Sequence, residues 1–212
     1  MTRIHLPGII AMAAIVVASN ILVQFLILDG LLTWGAFTYP LAFLVTDVMN
    51  RVYGVGPARK VVLAGFVTGI ICSLIGSQIM LEYGPAVPLR IAVGSGIAFL
   101  VAQMTDITVF NRLRGGRWWR APLVSTLVGS ALDTALFFTI AFSASIALFG
   151  AGADSAISWS WDVVPFMNVG PLVPLWVTLA VADWLVKLSL ALIALIPFRL
   201  IVAHIGRENS TP

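Results

Sequence analysis

The chain reads as an all-α integral membrane protein with six spanning helices, and three observations say so. Hydrophobic residues make up 60% of its 212 residues and charged residues only 10%. The mean hydropathy is +1.03. Basic residues recur in alternate gaps between long apolar runs. A water-soluble domain needs far more charge to cover its surface.

A helix crosses the hydrocarbon with about 20 mostly apolar residues. Six stretches qualify: residues 7–28, 34–53, 61–80, 89–110, 122–149 and 171–198, together one transmembrane domain over 1–212. The first runs without charge from Leu6 to Leu28. That is longer than the apolar core of a signal peptide, so a retained span is expected. The third is also uncharged. Helix is the form available to all six, because backbone groups in lipid must be satisfied within the segment. A barrel would show alternating strands, whereas these runs are continuously apolar.

The charges then orient the spans. Arg3 precedes the first; Arg51, Arg59 and Lys60 follow the second; Arg112, Arg114, Arg117 and Arg120 follow the fourth; Arg199 and Arg207 follow the sixth. The opposite connections hold Asp29, Glu82, Asp154 and Asp162, with Arg90 as the basic exception. The positive-inside rule makes the basic face cytoplasmic and puts both termini there. The net charge of +3 is thus spent on topology, so the expected partner is a lipid bilayer and not nucleic acid. Trp118 and Trp119 beside the basic run suit an interfacial belt. The connection 150–170, with Trp159 and Trp161, is expected along the outer interface as an anchored loop or a lid.

Several chemistries are excluded or disfavoured. Cys72 is the one cysteine, so neither an intrachain disulfide nor a cysteine metal cluster is available. His5 and His204, the two histidines, lie near opposite ends. No glycine-rich phosphate loop and no H-E-x-x-H occurs. No enzyme activity, cofactor or metal is expected.

Five ionisable residues fall inside spans: Asp47, Asp106, Asp133, Asp183 and Lys187. At a helix centre each would cost roughly 2.5–3.5 kcal/mol in lipid, so they must face the bundle interior. Asp47 and Asp106 fall in the inner halves of inward-running spans. Asp133 lies ~16 Å up from Pro122 at 1.5 Å per residue. Asp183 is near the middle of the last span. All four carboxylates are therefore expected in one layer between the midplane and the basic face. Asp183 and Lys187 share a helix face at i, i+4, as do Asp47 and Arg51. Asp106 and Asp133 have no partner in their own helices. A cation or donor from another helix, a bound solute, or a proton must compensate them.

Other polar residues extend the pattern. Asn20 and Gln24 are four apart, with Ser19 beside them, and Gln103 precedes Asp106 by three. Singly such residues glue helices together; beside four carboxylates they read as a cavity wall. Trp34 and Phe37, with Tyr39, could stack on a flat ring or belong to a belt. The small-xxx-small spacings Gly65/Gly69 and Ala14/Ala18 suit close helix contact or a partner surface, leaving a homodimer open.

At these residues the chain resembles the queuosine precursor transporters, also called the vitamin uptake transporter family. The resemblance runs from Ser19-Asn20 to Lys187. It is carried by Thr33-Trp34-Gly35-Ala36-Phe37, Thr46-Asp47 with Arg51, Asp106 with Val109-Phe110-Asn111-Arg112-Leu113-Arg114, and Trp118-Trp119. It continues through Ser125-Thr126-Leu127, Asp133-Thr134, Ile140-Ala141-Phe142 and the Asp183–Lys187 spacing. Many relatives carry glutamate where this chain has Arg51. The resemblance implies a bacterial inner-membrane importer of 7-cyano-7-deazaguanine and 7-aminomethyl-7-deazaguanine, precursors of a modified tRNA base. Such a guanine-like edge offers adjacent N–H donors that a carboxylate accepts in pairs. Asp106 or Asp133 would take that edge. Asn20, Gln24 or Gln103 would serve its carbonyl, and Trp34 or Phe37 its face. The Asp183–Lys187 pair would hold or gate the site. A stand-alone facilitator, a proton-coupled importer and a substrate-binding subunit of a multi-component vitamin or purine uptake system all remain open at this point.

Overall fold

The computed structural model describes residues 5–28, 30–82, 84–146, 150 and 155–208. Arg3, Asp29 and Asp154, which enter the charge pattern, lie outside the described residues. The chain is mostly helical, in the order α1 (Leu6–Leu22), α2 (Gly35–Thr38), α3 (Leu41–Tyr53), α4 (Val55–Gln78), α5 (Leu89–Leu113), α6 (Arg120–Phe142) and α7 (Leu175–Glu208). Among the described residues four helices are long and apolar enough to cross a membrane: α4, α5, α6 and α7 over Leu175–Ile205. Helix α1 is apolar but shorter, with 17 residues.

The differences from the expected spans have local causes. The stretch 34–53 is broken into α2 and α3 at Tyr39-Pro40. Pro40 has no N–H, so the helical bond back to Ala36 is missing. The first stretch ends its helix at Leu22, because Leu26–Ile27 pair with Leu32–Thr33 in a short hairpin. The last helix starts at Leu175, directly after Pro174, where the sequence before a proline favours extended backbone. The fifth ends at Phe142, where other side chains take its last carbonyls. Arg90 donates to Ile140 O at 2.9 Å and to Ser143 O, and Trp161 Nε1 donates to Phe142 O at 2.7 Å. Arg90, the basic exception on the acidic side, is thus a fully buried cap at a helix C-terminus, where a cation is favoured.

Among the described residues three two-stranded antiparallel hairpins join alternate helices: β1 (Leu26–Ile27) with β2 (Leu32–Thr33), β3 (Met80–Leu81) with β4 (Gly84–Pro85), and β5 (Val163–Pro165) with β6 (Leu172–Pro174). Short connections carry the other turns. Gly54 at φ 90° makes the tight α3–α4 turn, a left-handed conformation that glycine adopts without Cβ strain. At that end Arg51 donates to Arg114 O at 3.0 Å and Trp118 O at 3.4 Å, and Arg114 donates to Asn50 Oδ1 at 2.7 Å. The guanidinium of Arg51 also sits 5.3 Å from the Phe110 ring centroid.

The core is built in patches along the bundle. Met12, Val16, Ala42, Met49, Val61, Val62, Phe99 and Ile107 pack where α1, α3, α4 and α5 meet. Val48, Phe110, Ala121 and Phe198 pack at the basic end, and Phe138, Ala141, Phe142 and Ile157 at the hairpin end. Leu63, Val67, Ile71 and Leu74 of α4 and Leu192, Ile193, Ile196 and Leu200 of α7 face outward. An apolar exterior of this kind suits lipid.

The α5–α6 contact is the most extensive in the bundle. It is tight at Gly129, where an added Cβ would stand 3.3 Å from both Ala102 O and Asp106 Cβ of α5 and 2.7 Å from the Phe43 ring of α3. A ring and a backbone carbonyl give way poorly. Gly129→Ala should therefore destabilise the protein by about 1–3 kcal/mol through overpacking. Thermal unfolding of the purified variant in detergent checks this, and an unchanged midpoint would contradict it.

Candidate functional site

Helix α6 places Asp133 and Thr134 on the side that meets α7, and α7 presents Asp183 and Lys187 one turn apart. The Lys187 ammonium lies 2.7 Å from Asp133 Oδ2 and 2.5 Å from Asp183 Oδ2. It also donates to Thr134 Oγ1 at 3.0 Å. Thr134 in turn donates to Asp183 Oδ2 at 2.8 Å. Tyr39, from the break between α2 and α3, donates its hydroxyl to Asp133 Oδ1 at 3.3 Å. Its ring lies 5.7 Å from the Lys187 nitrogen. The sequence pairs Lys187 with Asp183 alone; the fold adds Asp133. One ammonium between two carboxylates leaves this cluster with negative charge in excess.

The cluster forms part of the wall of a cavity of about 410 Å³. That falls within the range of roughly 300–1,000 Å³ common for small-molecule sites. Asn20 and Gln24 line it from α1. Asn20 Nδ2 donates to Val16 O in its own helix at 2.9 Å, and Gln24 Nε2 to Ala86 O at 3.4 Å, so each keeps its amide oxygen for another partner. Gly30–Thr33, Ala86, Val87 and Trp159 lie at the hairpin end. The aromatic wall consists of Tyr39, Phe137, Phe138, Phe142 and Trp159.

Five of the ten residues singled out in the sequence therefore share this cavity: Asn20, Gln24, Asp133, Asp183 and Lys187. The other five lie elsewhere. Trp34 and Phe37 pack against each other with ring centroids 6.1 Å apart and planes tilted by 52°, and Trp34 is half exposed. Asp47, Gln103 and Asp106 form a separate buried layer nearer the basic end. There Ser125 Oγ and Thr126 Oγ1 each donate to Asp47 at 3.2 Å, and Thr46 donates to Gln103 Oε1 at 2.6 Å. Asp47 is held by these hydroxyls, while Arg51 is engaged with backbone carbonyls. The carboxylates thus occupy two layers and not one. Phe137, four residues beyond Asp133 and on its helix face, is a cavity residue that the i, i+4 spacing makes recognisable.

A family model described as "putative vitamin uptake transporter" matches residues 33–202. The chain belongs to the vitamin uptake transporter family. With its apolar helices and its bacterial relatives, this family member is a multi-pass bacterial membrane protein. It is 38% identical over 141 residues to the "Queuosine precursor transporter" of Escherichia coli (strain K12), covering 60% of this chain and 64% of the relative. It is 34% identical over 176 residues to the "Probable queuosine precursor transporter" of Haemophilus influenzae, covering 78% of this chain and 66% of the relative. A Bacillus subtilis (strain 168) protein of the same printed name is 31% identical over 130 residues, 52% of this chain and 56% of the relative. The chain thus spans just under two thirds of the length of the first two relatives. No solved structure matches.

Proposed function

We propose that this chain imports queuosine precursors, 7-cyano-7-deazaguanine and 7-aminomethyl-7-deazaguanine, into the bacterial cytoplasm. It does so as a six-span bundle with both of its ends on the cytoplasmic side; α2 and α3 together make the second span. The observation that carries the reading is the acidic cluster Asp133–Lys187–Asp183 in the wall of a cavity of about 410 Å³ with aromatic sides.

The cluster suits this solute class chemically. Asp133 Oδ1 is met by one phenol at 3.3 Å and keeps lone-pair capacity for a second donor. A guanine-like edge supplies adjacent N–H donors. The excess negative charge favours the aminomethyl cation. The free amide oxygens of Asn20 and Gln24 accept further N–H groups. Phe137, Phe138 and Phe142 offer apolar faces to a flat ring. The hairpin end is the outer one on this reading, because Arg51, Arg112, Arg114, Arg117 and Arg120 gather at the other end. The cavity then faces outward, and the Lys187 ion pairs stand between the solute and the inner half of the bundle.

The test is direct. The purified protein alone in liposomes is expected to take up labelled 7-cyano-7-deazaguanine, and to bind it in competition with 7-aminomethyl-7-deazaguanine but not with an unrelated pyrimidine. Binding without uptake would favour a substrate-binding subunit that needs an energising partner. Absence of binding would overturn the proposal.

A further inference from the structure

The second acidic layer is not part of the solute cavity, and its geometry calls for an occupant of its own. Asp47 on α3 and Asp106 on α5 meet the same stretch of α6: Ser125 and Thr126 donate to Asp47 at 3.2 Å, and one turn on an added Cβ at Gly129 would stand 3.3 Å from Asp106 Cβ, which brings the two carboxyl groups together as direct neighbours. Asp47 is 3% exposed and Asp106 0%. Thr126 directs its hydroxyl proton to Asp47, and Ser125 shares its own between Asp47 at 3.2 Å and Pro122 O at 3.3 Å. Neither oxygen of Asp106 has a donor from any protein group that carries one as a matter of course.

Among the described residues no cation is bonded to either carboxylate, and the Arg51 charge acts on Asp47 only through space. On α3, Arg51 lies one turn beyond Asp47 and is engaged with Arg114 O, Trp118 O and the Phe110 ring. On α5, Gln103 is neutral, and its Nε2 has no partner. On α6 the facing groups are Ser125 and Thr126; Asp133 lies two turns on and is paired with Lys187. Helix α7 presents Leu190, Ala191, Ala194, Leu195 and Phe198 to the Asp47 side. Helix α4 contributes the apolar Ala58, Val61 and Val62 to the neighbouring core. Two bare carboxylates touching in such a setting would repel strongly and lack solvation. A single proton held between them removes the repulsion and gives Asp106 its missing hydrogen bond, as in paired carboxyls that cannot both ionise.

The location suits an exchangeable proton. Thr126 precedes Asp133 by seven residues on one face of α6, which is ~10 Å along the axis. The pair therefore sits below the solute cavity, toward the basic end. A crevice of about 10 Å³ between α3, α6 and α7 reaches Asp47 and Thr126. It leaves Asp47 and Thr126 room beside them for about one water, apart from the solute cavity.

We propose that Asp47 and Asp106 form a proton-binding site, one proton shared between two carboxyl groups, whose loading and release accompany solute movement. The coupling rests on the import reading above; the proton site does not.

Infrared spectroscopy of the purified protein in lipid nanodiscs tests the site. At neutral pH the wild type is expected to show the C=O stretch of a protonated carboxylic acid. Asp106→Asn and Asp47→Asn, each shown to be folded by circular dichroism and size exclusion, are each expected to lose it. A band that persists in both variants overturns the site. A band that disappears from the wild type on adding sodium also overturns it, because the occupant is then a metal cation. Liposome uptake of 7-cyano-7-deazaguanine tests the coupling. An inward gradient of one pH unit is expected to drive accumulation of up to about tenfold at one proton per solute, and Asp106→Asn is expected to abolish it. Wild-type uptake indifferent to the gradient overturns the coupling. Wild-type protein that moves no solute under either condition overturns the import reading instead, and the infrared result still decides the proton site.

Discussion

Replacing Lys187 by methionine should destabilise the protein by about 3–5 kcal/mol and abolish import. Lys187 is 4% exposed and holds two carboxylates, Asp133 at 2.7 Å and Asp183 at 2.5 Å. Removing one partner of a buried ion pair leaves its counter-charge desolvated and unpaired, which costs about that much. Here two counter-charges are left, with only Tyr39 and Thr134 to serve them. The effect is electrostatic and not one of packing, because methionine has nearly the same length. The triple variant Lys187→Met, Asp133→Asn, Asp183→Asn should therefore recover most of the stability, as buried ion pairs exchanged for uncharged groups often do. It should not recover import, because the acidic wall is gone. Denaturant unfolding in detergent and liposome uptake measure the two halves. A stable, active Lys187→Met would show that the ion pairs are dispensable.

Asp133→Asn should weaken binding of 7-cyano-7-deazaguanine roughly 10- to 100-fold while leaving the fold intact. A hydrogen bond to a charged group contributes about 1.5–3 kcal/mol, and loss of the charge forfeits most of that. The fold survives because Lys187 keeps Asp183, and the asparagine can still accept from Tyr39. The aminomethyl compound should lose more than the cyano compound, since it carries a positive charge toward the acidic wall. Calorimetric titration of both solutes against wild type and variant checks the order. Equal losses would place the cation away from Asp133, and no loss for either would remove Asp133 from the site.

Much of this architecture is legible along the chain. Membrane residence needs only composition and run length, because the cost of charge in hydrocarbon does not depend on which helices touch. The interior orientation of Asp133, Asp183 and Lys187 follows from the same cost. The Asp183–Lys187 pair is also local, since a four-residue spacing sets two side chains on one face of any helix. The short-range breaks are not read from the apolar runs: 34–53 reads as one span and the last span as starting at 171, whereas Pro40 divides the one and Pro174 delays the other to Leu175.

What the linear pattern could not sort was which polar residue joins which cluster. Asp47, Asp106 and Asp133 carry the same chemistry at similar estimated depths, and depth along a helix says nothing about the direction a side chain takes around it. Tyr39 reaches Asp133 across the bundle, a contact between residues 94 apart that no local spacing encodes. Arg51 leaves Asp47, its i+4 neighbour, for carbonyls at the far end of α5, because a helix C-terminus offers unsatisfied acceptors.

The sequence by itself determined that this is a membrane-embedded helical protein with charges turned inward, since those facts follow from solvation energies that each residue carries alone. Only the tertiary structure decided that the inward charges fall into two clusters: Asp133, Asp183 and Lys187 in the cavity wall, and Asp47 and Asp106 in a buried layer beneath it. That division depends on rotation and crossing of α3, α5, α6 and α7, and ion pairing is short-ranged enough for a turn of rotation to change every partner.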